Sequence, residues 1–310
     1  MKTKTKILVI TGQNDRHADF ICQKLKQKHF RLNTNLLREM SYYLNAVDGK
    51  LFINRQELAD DIETVWFRRP FIPRLENQDN GVQEFYQNEW TAFLDNLWTT
   101  FNCRWISPIE SLTKAKNKFS QLRQAKQVGL KIPETLISND LLKIKDFFEK
   151  TKGQVLVKSL KTQIIEENEC LALIRAKKLR KQDLKNPALY FTPIIFQEIL
   201  PRQMEIRIVA MGEKLFAFGI RPKTNKKYID IKRHSLESLE HFPYELSKDL
   251  EIKIKALLKS YNLPFSSMDF ILTPGGEEFF LDLNPNGQWL WLEFMTKVPL
   301  SDYFVEFLTQ

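Results

Sequence analysis

Two carboxylates and an amide stand close together late in the chain. The stretch Pro264 to Glu293 reads PFSSMDFILTPGGEEFFLDLNPNGQWLWLE. Two apolar runs flank Pro274-Gly275-Gly276, which is the signature of a hairpin turn. Each run carries one conspicuous acid, Asp269 in the first and Asp282 in the second. A carboxylate inside an apolar run is costly unless something neutralises it. Asp282 and Asn284 are two apart, so on a strand they share a face, with Cα atoms roughly 6–7 Å apart. If the hairpin forms, Asp269 can lie beside them. Two carboxylates and an amide oxygen, with no His or Cys, suit Mg²⁺, which keeps waters and takes substrate phosphates. The plainer alternative is a pair of acids neutralised by lysine or by backbone N–H groups, and the spacing alone leaves both open.

A second cluster precedes it. Met204 to Val209 and Leu215 to Arg221 read as antiparallel strands joined at Met211-Gly212-Glu213. Glu205 and Arg207 share a face there, and Arg221 is expected beside them from the neighbouring strand. Lys158 interrupts the apolar run Gly153 to Leu160, either snorkelling at an edge or aimed at a phosphate. Arg68 and Arg69 end the strand VWFRRP, where parallel sheets open onto ligand crevices; they are either an anion contact or surface charge.

The elements that must position these groups follow from pattern. Lys6–Thr11 is an apolar first strand, followed by a helix to about Lys28; Phe30–Leu37, Lys50–Ile53 and Thr64–Phe67 are extended. Alternation of strands and helices implies a mostly parallel sheet. Glu84–Asn102 is a helix whose Phe85, Trp90, Phe93, Leu94, Leu97 and Trp98 read as core. Ser111 to Gly129 is a helix closed by its glycine. Leu136–Ser138 and Ile194–Leu200 are strands, and residues 161–188 form a basic hairpin or helical lid. Leu246–Tyr261 and Asp302–Leu308 are helices.

The chain has 310 residues with net charge +9, enough for two or three lobes and suited to an anionic partner. Its three cysteines, Cys22, Cys103 and Cys170, are far apart, which favours the reducing cytoplasm over a disulfide framework. No stretch reaches transmembrane length. The first βα turn has neither a GxGxxG fingerprint nor a P-loop. No nucleophile elbow accompanies His17, His29, His234 or His241, which read as surface or structural. The basic stretches lack the aromatic interleaving of a nucleic-acid-binding protein, a rival that salt-dependent binding to random DNA would favour.

Taken in order, KILVIT, VWFRRP, KNKFSQLRQAKQVGLKIPETLISND, VLVKSL, FQEIL, EIRIVAMGEKLFAFGIR and SSMDF with FLDLNPNGQWLWLE resemble the ATP-grasp superfamily. The resemblance covers essentially the whole chain. It is closest to the graspetide ligases that close side-chain rings in microviridin-like peptides, on the strength of WFRRP and NPNGQW. It implies an α/β, three-lobed ATP-grasp fold: an N-terminal parallel-sheet domain over 1–110, a central lobe over 111–200 with a lid and leader-docking surface at 161–193, and a C-terminal lobe over 201–310. It implies that Lys118 and Lys158 hold ATP phosphates, that Gln197, Glu198, Ile199 and Leu200 form the adenine hinge, and that Glu205 binds ribose. Asp269, Asp282 and Asn284 would bind Mg²⁺, and Arg207 and Arg221 would stabilise the transferring phosphoryl group. The implied partner is a ribosomal precursor peptide, leader plus acidic core, for a cytoplasmic homodimer that uses neither nucleic acid nor membrane. Three features depart from the pattern: Asp282 stands where many relatives have Glu, YIDIKRH leaves any role of Asp230 or Lys232 open, and WISP replaces an Asn-Pro form. A glutamate-adding or dipeptide ligase would share the nucleotide residues and differ in substrate.

Overall fold

Ile7–Thr11 (β1) is buried at every position, and the first sheet forms around it. The computed structural model describes residues 6–310 apart from 59–61, 74, 76–77, 161–163, 168–169, 174–175, 225–227, 229–230 and 232–233. Asp15 caps helix Arg16–Lys24 (α1), accepting from the His17 and Ala18 amides. His29–Asn33 (β2) follows. Tyr42–Leu44 (β3), Leu51–Ile53 (β4) and Gln56–Glu57 (β5) make a small antiparallel sheet. Thr64–Phe67 (β6), helix Asn80–Thr100 (α2) and Arg104–Trp105 (β7) complete this region. The main sheet runs β2-β1-β6-β7, all parallel. On α2, Leu94 is buried and Trp90 and Phe93 pack against the core, but Phe85 is 67% exposed and faces away from it. The side chains of Leu97 and Trp98 lie outside the described residues.

The single helix expected over Ser111–Gly129 is two: Ile109–Ala115 (α3) and Lys118–Gln127 (α4). Asn117 breaks them by capping α4, accepting from the Ser120 amide at 2.9 Å. Gly129, at φ +84°, closes α4 as expected. Both helices join the core of the C-terminal sheet, through Leu112, Ala115, Leu122 and Ala125, although sequence had grouped them with the central lobe. Beyond them come Thr135–Ser138 (β8), Leu141–Lys150 (α5), Val155–Lys158 (β9), Ile164–Glu167 (β10), Cys170–Leu173 (β11), Lys177–Lys178 (β12) and Ile194–Glu198 (β13). The central sheet has the order β12-β9-β13-β8, and β10 pairs with β11 as a separate hairpin. Much of the surface expected to dock a leader falls on this hairpin and partly outside the described residues, as do Asp230 and Lys232.

Met204–Met211 (β14), Lys214–Pro222 (β15), Leu239–Pro243 (β16), helix Lys248–Ser260 (α6), Phe265–Leu272 (β17) and Glu278–Asn284 (β18) build the last lobe, closed by Leu290–Thr296 (α7) and Leu300–Thr309 (α8). Its antiparallel sheet runs β16-β15-β14-β17-β18. One face buries Ile206, Ile208, Met268, Phe270 and Leu283 beneath α4 and α6. The other buries Val209, Phe218 and Phe265 against Trp289 and Phe304. The chemistry lies at the end of this second face. No helix among the described residues is long and apolar enough to cross a membrane.

Candidate active site

A β-bulge brings the two carboxylates together. From the turn, β17 and β18 pair as Leu272 with Glu278, Ile271 with Phe279 and Phe270 with Phe280. Continued unbroken, that register would set Asp269 opposite Leu281 and send Asp282 to the other face. The register instead shifts between Asp269 and Phe270, so Asp269 faces Asp282 and Ser267 faces Asn284. The extra residue lets Phe280 and Leu283 both reach the core while Asp282 turns to its partner acid. Arg207 on β14 pairs with Asp269 and joins the same face.

Facing carboxylates repel, and cations are placed on each of them. The Arg207 Nη1 donates to Asp269 Oδ1 at 2.5 Å, and its Nη2 donates to the Gln288 carbonyl at 3.0 Å. Lys118, the first residue of α4, donates to Asp282 Oδ1. The carboxylate oxygens are of the kind a hard divalent ion takes, and Arg207 and Lys118 neutralise both carboxylates here. Among the described residues no three His, Cys, Asp or Glu side chains gather as a metal cluster. Asn284 lies opposite Ser267 on the same face, and its Oδ1 accepts from the Asn286 amide at 3.3 Å.

Gln121, which sequence reasoning passed over, fixes β18 from below. It is 2% exposed; its Oε1 accepts from the Leu283 amide at 3.0 Å, and its Nε2 donates to the Leu283 carbonyl at 2.8 Å. It thus bonds the backbone between Asp282 and Asn284. Its signal was a polar side chain on the apolar stripe Gln121, Leu122, Ala125 of α4.

The turn after Asn284 must come close. The Gly287 amide donates to the Asn284 carbonyl at 3.1 Å. A methyl group added at Gly287 would fall on the Ser267 hydroxyl, 2.7 Å from the Ser267 Cβ and 3.2 Å from Arg207 Nη2. Gly287→Ala is expected to push the turn outward, to cost about 1–3 kcal/mol, and to loosen the bond from Arg207 to Gln288. Thermal unfolding and affinity for a non-hydrolysable ATP analogue check this; an unchanged midpoint would mean that the turn has slack.

The other expected residues fall into three places. Lys158, ending β9, donates to Gln197 Oε1 at 2.6 Å, and Gln197, 3% exposed, donates to Thr135 Oγ1 at 3.0 Å. Glu198, Ile199 and Leu200 lead out of β13, with the Ile199 amide bonded to the Gln154 carbonyl at 2.9 Å. Glu205 is buried; its Oε1 accepts from Arg202 Nη1 at 2.5 Å and from the Ile231 amide at 3.3 Å. Arg221 is not brought to this cluster. Glu205 pairs with Ile220 and Arg207 with Phe218, so Arg221 points to the opposite face. There it bonds Glu240 at 2.6 Å and is half exposed.

A cavity of about 610 Å³ opens between the carboxyl ends of β1 and β6 and the segment Gln288–Phe294. Arg69, Arg16 and Asn35 line it on one side, and Trp291, Phe294 and Gln288 on the other. Gln288 is the residue that Arg207 holds by its carbonyl, so the cavity and the carboxylate pair share a wall. Arg68 does not reach it. At 1% exposure it is buried against Asp15, 2.8 Å away, and desolvation pulls its pKa down to about 10.

His17 stitches the first and last lobes together. Its Nε2 accepts from the Trp289 and Leu290 amides at 3.2 and 3.0 Å, capping α7, which requires the neutral ring. Burial and the Arg68 charge depress its pKa to about 3, against the opposing pull of Asp15. The folded pKa lies below the unfolded value of about 6.5. The unfolded chain therefore binds the extra proton, and stability that is full above pH 6.5 is lost as pH falls from there toward 3. Urea midpoints of wild type and His17→Gln should converge as pH drops from 7.5 to 5. A difference that stays constant with pH would exclude this role.

The parallel N-terminal sheet, the antiparallel central sheet carrying a lysine and the C-terminal sheet with facing carboxylates make up a fold that solved ATP-grasp ligases share. No family model matches the chain, and no curated protein matches it by sequence. Among solved structures, the macrocyclase MdnC from Microcystis aeruginosa MRC, bound with precursor peptide MdnA, aligns with TM-score 0.87 and 26% identity over 98% of this chain and 99% of that one. A RiPP-associated ATP-grasp ligase from Chryseobacterium gregarium, in complex with ADP and a leader and core peptide, aligns with TM-score 0.86 and 23% identity over 98% and 96%. The ATP-grasp ligase PsnB, complexed with minimal precursor, Mg and ADP, aligns with TM-score 0.79 and 18% identity over 99% of each chain. The last two likenesses show a shared fold.

Proposed function

We propose that this chain is an ATP-dependent ligase that activates Asp or Glu side chains of a ribosomal precursor peptide and joins them to Ser/Thr hydroxyls as esters or to Lys amines as amides. The observation that carries the reading is the facing pair Asp269 and Asp282, matched by Arg207 and Lys118 and walled off from a cation-rimmed cavity by Gln288. The peptide carboxylate attacks the γ-phosphorus of ATP, ADP leaves, and the acyl phosphate forms. The acceptor hydroxyl or amine then displaces phosphate and loses its proton. Phosphoryl transfer of this kind is positioning and charge neutralisation, and needs no protein nucleophile.

In this reading Asp269, Asp282 and Asn284 hold magnesium, which supplies positive charge to the phosphates. Lys118 then leaves Asp282 for a phosphate oxygen, and Lys158 does the same from the central sheet. Arg207 keeps its hold on Gln288 and turns its remaining N–H groups to the transferring group. Gln197, Glu198, Ile199 and Leu200 border the adenine, and Glu205, oriented by Arg202, meets the ribose. Arg221 has no part in the chemistry unless β15 shifts. The partner is a peptide with an acidic core, docked by its leader, and the working form is a cytoplasmic homodimer with no nucleic acid. Mass spectrometry of a co-expressed candidate peptide tests the reaction. One water lost per ring, with ADP formed, is expected. Addition of amino-acid masses would transfer the chain to the glutamate-adding ligases, and unaltered peptide without ATP turnover would sink the proposal.

A further inference from the structure

The cavity at the ends of β1 and β6 is built for an acidic guest. Its lining holds one carboxylate, Asp15, and that carboxylate is spent: it accepts from the Thr11 hydroxyl and from the α1 amides, and pairs with the buried Arg68. Its lining histidine, His17, is neutral and occupied with the α7 amides. Two cations remain, Arg16 and Arg69, both exposed and without an acidic partner among the described residues. The Arg69 charge is felt within the site, where it helps depress the pKa of both Arg68 and His17. Behind them, Nη1 and Nη2 of Arg68 are buried with no hydrogen-bond acceptor. Asp15 answers the charge of Arg68, and no acid in the lining answers those of Arg16 and Arg69. The apolar part of the lining is open: Phe71 is 61% exposed on the arginine side, and Phe294 is 51% exposed beside Trp291 on the other.

Resting on the ligase reading above, we propose that this cavity seats an acidic side chain of the peptide substrate. Arg69 and Arg16 recognise its carboxylate, and Phe71, Trp291 and Phe294 take the apolar flank of the peptide. A carboxylate between two arginines gains charge-assisted hydrogen bonds that an amide of the same shape does not. Exposed cations with no internal partner lose little solvation on meeting it. The location agrees with the chemistry. Open parallel sheets bind ligands at the carboxyl ends of their strands, and the Gln288 wall places the guest next to Arg207 and the carboxylate pair.

The test is a binding measurement that needs no turnover. Two fluorescein-labelled synthetic peptides are titrated with the full chain in the presence of a non-hydrolysable ATP analogue and Mg²⁺. One contains Thr, Phe and two Glu; the other has Gln in place of both Glu. Wild type is expected to bind the acidic peptide at least about tenfold tighter than the amide peptide. Arg69→Ala should remove most of that preference by weakening the acidic peptide alone, with nucleotide affinity changed less than twofold. Arg16→Ala, read in the same way, serves if Arg69→Ala fails to fold. Wild type binding both peptides alike, or neither, overturns the proposal, as does a preference that survives both substitutions. If the analogue binds, and a separate incubation with ATP and peptide releases ADP, while the preference is absent, the ligase stands and the acidic seat falls. If the preference is present but no nucleotide binds, the ligase reading falls and the seat stands.

Discussion

Asp282→Asn is expected to lower peptide-dependent ADP release by about 10³-fold or more and to shift the thermal midpoint by only a few degrees. The two halves of this expectation come from different parts of the structure. The side chain is 28% exposed and its Lys118 partner 29%, so their ion pair contributes about 0–1 kcal/mol to folding. The strand itself is held by Gln121 bonding both the amide and the carbonyl of Leu283, which an amide at position 282 leaves intact. Function depends on charge. In the proposed metal site, losing one carboxylate would leave Asp269 alone and remove half of the negative charge that would hold the cation. ADP release is to be followed across a magnesium titration. A partial rescue at high magnesium fits a weakened site; near-normal turnover at saturating magnesium would refute the metal assignment and return Asp282 to a simple partner of Lys118.

What the sequence made legible here was local, and what it hid was register. Period two placed Asp282 and Asn284 on one face, and the Pro274-Gly275-Gly276 turn announced the hairpin. Neither says whether Asp269 meets Asp282, because the five-residue loop from Thr273 to Glu277 would pair the wrong parity and only the bulge beyond Phe280 restores it. The misplacement of Arg221 has the same origin and was avoidable. The loop between Met211 and Lys214 has two residues, and a two-residue loop puts odd positions of one strand opposite even positions of the next. Arg207 and Arg221, both odd, must therefore part. Phe85 was assigned to the core from helical spacing, but the buried stripe of α2 ends before it and leaves it in solvent. The partners of Gln121 and His17 were hidden for another reason. They are backbone groups more than a hundred residues away, and backbone carries no sequence signal.

Arg207→Ala is expected to slow the chemical step by about 10²–10³-fold and to weaken binding of the non-hydrolysable ATP analogue by less than about tenfold. Arg207 spans two functions. Through Asp269 it neutralises a carboxylate that is 15% exposed, and through the Gln288 carbonyl it holds the wall between the carboxylate pair and the cavity. Its Nε is buried without an acceptor, a donor left over for a ligand. Removing the guanidinium takes a cationic partner from Asp269 in a partly buried place, so the free enzyme should lose stability by less than the ~3–5 kcal/mol of a broken buried pair. Because it binds the analogue less tightly, the variant is expected to show a ligand-induced rise in thermal midpoint no larger than that of wild type. Arg207→Lys separates charge from geometry: an ammonium can meet Asp269 but cannot also reach Gln288 in the planar fork of a guanidinium. It should recover most of the stability and little of the rate. An equal loss of nucleotide affinity and turnover in Arg207→Ala would move this residue from phosphoryl transfer to nucleotide binding, and full activity in Arg207→Lys would show that its bond to Gln288 is dispensable.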